Sequence, residues 1–176
     1  MEPIAALRNV HTDRLDLRLP DEGDLDAWWS WHQDDQTIAG LALPGPMSRD
    51  EAWRAMAMML GHWHLRGFGM WTIVERSTGR AIGRGGLFYP HGWPELEVGW
   101  LLGPDARGQG YAVEMARAAL SLASSVLGAT RVCHVILPTN RPSIAVAERL
   151  GARPDGTFLV RGTLATTRYV TDCPAR

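Results

Sequence analysis

Polar and apolar residues alternate in "RLDLRLP" (14–20), which puts Leu15, Leu17 and Leu19 on one face and predicts a short strand stopped by Pro20. The next stretch, "DEGDLDAWWSWHQDD" (21–35), is acidic at its front and apolar at Leu25, Trp28, Trp29 and Trp31, which predicts a helix. "TIAGLALPGP" (37–46) reads as an apolar loop, because Pro44-Gly45-Pro46 cannot continue a helix. Ser48 with Glu51 three residues on forms a capping box, and Trp53, Met56, Ala57, Leu60 and Trp63 recur at helical spacing until Gly67.

Two strands follow, "GMWTIVER" (69–76) and "RAIGRGGLFY" (80–89), joined at Ser77-Thr78-Gly79. Gly83, Gly85 and Gly86 in the second predict a bulge or a close backbone approach. "ELEVGWLL" (95–102) is a further strand that runs directly into a glycine-rich stretch, "GPDARGQGYAVEMARAAL" (103–120). The helix beyond keeps Val113, Ala116, Leu120, Ala123 and Leu127 on one face and ends at Gly128. "RVCHVIL" (131–137) has the look of a buried strand; Asn140 caps a short helix closed by Gly151, and "GTFLVRGTLATTRYV" (156–170) reads as two strands around Arg161-Gly162. The order β-α-α-β-β-β-α-β-α-β-β sends antiparallel strands into a mid-chain β-α-β unit, so the sheet is expected to be mixed rather than doubly wound.

The totals narrow the classes. A chain of 176 residues is read as one domain, with its core over about residues 12–170. Eighteen basic against nineteen acidic residues give a net charge of -1, which argues against nucleic-acid and membrane partners. The N-terminal "MEPIAALRNV" has no basic n-region followed by an apolar run, so a soluble, cytoplasmic chain is expected. Cys133 and Cys173 have no CxxC neighbour, which argues against a disulfide framework and against a cysteine-held metal.

The glycine-rich stretch sits at a helix mouth, where unpaired N–H groups and the macrodipole favour an anion. It is no Walker A loop, because Tyr111-Ala112 follows Gly110 where Lys-Ser/Thr is required. A dinucleotide fingerprint is weak too, since the third glycine position holds Val113 and the loop follows the fourth strand. What remains is R-x-x-G-x-A, carried by Arg107, Gly110 and Ala112.

Here the stretch resembles the pyrophosphate loop of the GNAT superfamily of N-acetyltransferases, Q/R-x-x-G-x-G/A. The likeness runs on through "LEVGWLLGPDARGQGYAVEMARAAL" and "NRPSIAVAERLGAR", which look like the RimJ/RimL-type branch; with the element order it spans Thr12 to Val170. Ala152-Arg153 departs from the branch's usual Leu-Gly-Phe, a difference of packing more than of chemistry. The resemblance implies the α/β (α+β) acyl-CoA N-acyltransferase fold: a mixed, mostly antiparallel central sheet of about six or seven strands flanked by about four helices. It also implies acetyl-CoA as co-substrate and no metal. Its pantetheine arm would lie between the splayed fourth and fifth strands, against Trp100, Leu101 and Leu102, with the backbone near Gly99 to Leu101 polarising the thioester carbonyl. Its pyrophosphate would lie on Arg107, Gly108, Gln109, Gly110, Tyr111, Ala112 and Val113, with Asn140 and Ser143 on the opposite helix.

Acetyl transfer needs a neutral amine, a polarised carbonyl and a proton for the leaving thiolate. Glu97 and Glu95, two apart on a strand, point the same way and are the base candidates; Glu97 stands where the family places an acidic residue before Val-Gly-Trp. Ser143 matches the family position near the CoA sulfur, and Asn140 serves as helix cap and pantetheine contact. Trp28, Trp31, Glu95 and Glu97 are the candidates for touching the acceptor, and Asp34 and Asp35 could draw a cation. His62 and His64 face different ways and make a poor metal pair. His134 and Cys133 read as core, and His91 and Trp93 as a turn before the base-bearing strand.

The leading function is transfer of an acetyl group from acetyl-CoA to a primary amine, either a protein N-terminal α-amine or a small molecule. The alternative is a non-catalytic acyl-CoA sensor or scaffold of the same fold. Exposed edges at the C-terminal hairpin call for cover, which a homodimer would supply.

Overall fold

In the computed structural model, which describes residues 4–175, the elements announced by the pattern are joined by several short ones. Chain order is α1 (Ala5–Arg8), β1 (Asn9–His11), β2 (Leu15–Arg18), a 3-10 turn (Glu22–Asp24), α2 (Leu25–Trp31), α3 (Asp35–Gly40), α4 (Arg49–Arg66), β3 (Met70–Glu75) and β4 (Arg80–Phe88). There follow β5 (Glu97–Leu102), a second 3-10 turn (Pro104–Ala106), α5 (Tyr111–Ser125), β6 (Arg131–Ile136), α6 (Arg141–Arg149), β7 (Arg153–Val160) and β8 (Leu164–Asp172). Residues 1–3 of the N-terminal stretch read above lie outside the described residues.

The strands form one sheet in the order β1-β2-β3-β4-β5-β6-β8-β7. Every neighbouring pair is antiparallel except β5–β6. The mixed, mostly antiparallel sheet of the expectation is present with eight strands. The excess traces to β1, a three-residue edge strand without alternation of its own.

Local capping decides where helices depart from the apolar pattern. α4 starts as predicted, the Ser48 hydroxyl accepting from the Glu51 N–H while the Glu51 carboxylate accepts from the Ser48 N–H. The helix expected over 21–35 instead stops at Trp31, because the His32 ring donates through Nδ1 to the Trp28 carbonyl at 2.7 Å, taking the acceptor that the next turn would use. Asp34 then begins α3 by accepting the Thr37 N–H at 2.8 Å, so part of the predicted loop is helical.

The sheet has two buried faces. On one, α5 packs over Val98, Leu87, Ile73, Trp71, Leu15 and Leu17. A Cβ at Gly85 would lie 2.4 Å from the Met115 methyl of α5, so this glycine marks the close approach that its strand pattern suggests. On the other, α2 and α4 bring Trp28, Trp31, Met56 and Met59 onto Met70, Phe88 and Leu101. The register of β3 and β4 skips Ile82, since Ile73 faces Gly83 and Val74 faces Ala81, a bulge in the glycine-bearing strand.

One feature of the topology prepares the site. β5 and β6 pair at a single position, Glu97 with Cys133, and then diverge, leaving the remainder of β5 with no strand on that side.

Candidate active site

The gap between β5 and β6 leads to the mouth of α5. Gly108 and Gly110 hold φ values of 75° and 84°, the left-handed region where a side chain is strained. None of the backbone N–H groups from Gly108 to Val113 has a hydrogen-bond partner among the described residues. A 15-residue helix thus presents its positive end and a row of free donors over bare glycine, which suits a polyanion such as a pyrophosphate. From this mouth a groove of about 430 Å³ runs between β5 and α6, walled by Trp100, Leu102, Val113, Asn140, Ser143 and Val146 and roofed by Thr37 and Gly40.

On the α2/α4 side of the sheet lies a second cavity, of about 230 Å³, lined by Glu97, Trp93, Phe88, Met70, Arg84 and His134. Gly40, Leu41, Trp100, Asn140 and Ser143 line both volumes, so groove and chamber meet. Glu97 sits in the chamber, 8% exposed. Burial raises its carboxyl from the ordinary 4.5 to about 7, against the opposing pull of the Trp93 and Val135 hydrogen bonds and the Arg84 charge. Trp93 Nε1–H donates to Glu97 Oε2 at 2.5 Å, and the Val135 N–H donates to Oε1 at 3.4 Å.

His134 bridges the diverging strands. Val98 O can only accept, so His134 Nδ1 donates to it at 2.7 Å, leaving Nε2 to accept from the Thr171 hydroxyl at 2.9 Å. Burial pushes this imidazole down to about 4, so it is neutral and structural at physiological pH. At the junction, Asn140 Oδ1 accepts the Ser143 N–H and Nδ2 donates to Gly40 O, both at 3.2 Å. The Ser143 hydroxyl has no partner among the described residues.

The family model described as the acetyltransferase (GNAT) domain matches residues 14–153. The chain belongs to the GNAT acetyltransferase family. A crystal structure of an acetyltransferase from Agrobacterium tumefaciens str. C58 is 30% identical, superposes with a TM-score of 0.82 and covers 97% of both chains. A curated relative, the uncharacterized N-acetyltransferase YnaD of Bacillus subtilis, is 33% identical over 73 residues, a match spanning 41% of this chain and 43% of that protein. The spermidine N-acetyltransferase of Vibrio cholerae, in complex with CoA and spermine, shares the fold at 17% identity with a TM-score of 0.71, covering 92% of this chain and 97% of that one.

Within this GNAT domain the structure redistributes several residues singled out from the sequence. Trp100, Leu101, Leu102, Arg107, Gly108, Gly110, Ala112, Val113, Asn140 and Ser143 line the groove. The Gln109 and Tyr111 side chains do not: Gln109 Nε2 donates to Asp105 O, and the buried Tyr111 hydroxyl donates to Glu75, so these two offer the groove backbone alone. Arg107 is no free charge at the rim. Its guanidinium meets Asp34 at 2.6 Å, Thr37 at 2.7 Å and Gln36 at 2.9 Å and ties α3 to the loop. Asp34, expected to draw a cation, therefore draws one from its own chain, and the Arg107 hydrogen bond holds its carboxyl below the usual range.

The chamber wall also differs from the expectation. Trp28 is fully buried in the α2/α4 core, and Trp31 packs beneath Gly103, where a Cβ would lie 2.7 Å from its ring; neither lines the chamber. Glu95 lies ahead of β5, is bound by Arg131 at 2.7 Å and Arg168 at 3.1 Å, and does not line the chamber. The chamber is lined instead by Trp93, Arg84, Phe88 and Met59 beside Glu97. Of these Trp93 carried a sequence signal, its turn lying just ahead of Glu97; the chamber-facing Arg84 was visible only as a lone charge in a glycine-rich strand. His62 is structural, its Nδ1 donating to Phe68 O and its Nε2 accepting from the Tyr89 N–H. Among the described residues no group of three or more His, Cys, Asp and Glu side chains is placed to hold a metal ion, and no helix is long and apolar enough to cross a membrane.

Proposed function

We propose that the protein transfers the acetyl group of acetyl-CoA to a primary amine by direct attack, with Glu97 as the general base. The observation that carries this is the meeting of the two cavities: a polyanion-ready helix mouth leads along an unpaired strand edge into a chamber holding a buried, near-neutral carboxylate. The groove residues fit acetyl-CoA, because the free N–H groups at 108–113 suit its pyrophosphate and the vacant side of β5 can accept an extended pantetheine arm. The structural neighbour that holds CoA and spermine has the same fold.

Glu97 takes one proton from the incoming ammonium, freeing the lone pair. The nitrogen then bonds to the thioester carbon, the C–S bond breaks with its electrons on sulfur, and the surplus proton of the acylated nitrogen passes to the thiolate as the amide forms. Ser143, at the junction with its hydroxyl free, hydrogen-bonds that sulfur or relays this proton to it, taking one from the nitrogen side as it gives one up. Asn140 holds α6 against α3 and retains one amide hydrogen and one lone pair for the pantetheine. The acceptor is a protein N-terminal α-amine or a small-molecule amine.

Calorimetry with acetyl-CoA, using ATP and NAD as controls, tests the donor, and thiol release on adding amines tests the chemistry. Binding without thiol release from any amine would make the chain a non-catalytic acyl-CoA binder; no binding removes the reading. A second expectation concerns pH. Glu97 works ionised, so kcat/KM should rise with pH through about 7. In Trp93→Phe the carboxylate loses its shortest hydrogen bond, and the midpoint should move up by about one pH unit. An unmoved midpoint would separate Trp93 from the base.

A further inference from the structure

Arg84 is a charge in the chamber that acetyl transfer as described does not use. Among the described residues four arginines are half-buried, and three are matched: Arg18 with Asp24 at 2.6 Å, Arg107 with Asp34 at 2.6 Å, and Arg168 with Asp155 at 2.7 Å. Arg84 has no ion-pair partner among the described residues. Its Nε is buried without a hydrogen-bond acceptor, and its Nη1 donates only to the Met70 sulfur at 3.2 Å, a weak acceptor. Burial lowers this guanidinium to about 10, which still leaves it charged at neutral pH. The Trp28 ring, 5.4 Å away, supports the cation from one side.

The position matters as much as the missing counterion. On the β4–β5 ladder Arg84 faces Leu101 and Phe88 faces Glu97, so Arg84 and Glu97 rise from the same face of adjacent strands. The pair between them on that face is Gly86 with Gly99. Their anchor points are four residues apart, about 13 Å along the strand; the two glycines between add no side chain of their own, and Met70 crosses the space above them, its sulfur on Arg84 and its methyl 2.8 Å from where a Gly99 Cβ would lie. Glu97 is close enough to favour the Arg84 charge without contacting it as an ion pair. A buried cation with an orphaned donor costs stability unless something arrives to meet it.

We propose that Arg84 selects the acceptor, receiving a carboxylate or similar oxyanion on the same small molecule whose amine faces Glu97. The substrate class is then amino-acid-like: ammonium at one end of the glycine floor, acid at the other. A peptide's N-terminal residue has lost its carboxylate to an amide, so an acid-binding Arg84 favours a free amino acid over a peptide. The inference rests on the acetyl-transfer reading and adds the acid requirement to it.

The test is thiol release from acetyl-CoA with matched acceptors: free amino acids, their carboxamides, short peptides and simple alkylamines. Wild type should use the acids at least about tenfold better in kcat/KM than the matched amides. Arg84→Gln should erase that ratio, chiefly through the KM of the acids, and Arg84→Lys should restore part of it. Retained acetyl-CoA affinity checks that each variant is folded, and the wild-type ratio stands as a test if one is not. Equal or better use of amides or peptides by wild type overturns the Arg84 assignment while leaving acetyl transfer intact, as does an Arg84→Gln loss equal for acids and amides. An absence of thiol release with every one of these amines sinks both readings.

Discussion

Replacing Gly110 with glutamate is expected to weaken acetyl-CoA binding by at least about a hundredfold in calorimetry, which corresponds to about 3 kcal/mol. Two effects add. Gly110 holds φ at 84°, and a side chain there costs about 1–2 kcal/mol in the left-handed region. The larger effect is electrostatic: the new carboxylate occupies the mouth of α5 and competes with the pyrophosphate for the same free N–H groups. Crowding contributes little, because the nearest atom to an added Cβ is Arg14 Nη2 at 3.5 Å. The fold should survive, since an acidic residue at a helix N-terminus favours the helix while spoiling it for a ligand. Gly110→Ala separates the two effects, carrying only the backbone strain and losing affinity by about tenfold. Full affinity in the glutamate variant would mean that no anion sits at this helix mouth.

The loop was legible because its requirements are backbone requirements. A positive φ and an exposed N–H both demand glycine or very small residues, and those appear in the sequence at Gly108, Gly110 and Ala112. Arg107 was legible as a residue but not as a role. Its partners Asp34, Gln36 and Thr37 lie about seventy positions away, where the pattern reads the end of one helix and the start of a loop; the helix there is only six residues long and owes its start to one aspartate. The same limit hid β1, whose three residues are too few for any alternation to register.

On the acceptor side the apolar pattern carried less. Periodicity places Trp28 and Trp31 on the inner face of α2, but it does not tell a core from a cavity wall, and both are core. Glu95 and Glu97 look equivalent at a spacing of two. They part company only through tertiary partners, with Arg131 and Arg168 closing on Glu95 and Trp93 with Val135 enclosing Glu97. Arg84 is the sharper case, since its isolation is an absence of partners that only the packed structure reveals.

Glu97→Gln is expected to lower kcat by about a hundredfold or more, the usual worth of a positioned general base, with acetyl-CoA affinity kept because the side chain lies in the chamber and not in the pyrophosphate mouth. The substitution keeps the volume and one acceptor for Trp93 Nε1–H. What it removes is the proton site and, with it, the rise in rate through about pH 7. Stability supplies an independent reading of the same ionisation. Burial raises the folded-state pKa above the ordinary 4.5 to about 7, so the protonated form favours folding. That contribution is complete below about pH 4.5, declines as pH climbs, and is lost above 7. Wild type should therefore lose thermal stability relative to Glu97→Gln between those limits, and melting curves of the two proteins across the range measure it. A variant that is slow at every pH, with the pH-dependent gap in melting temperature present, identifies Glu97 as a buried base. Unchanged turnover with the gap present leaves Glu97 a titrating group of the chamber wall and moves proton removal to water.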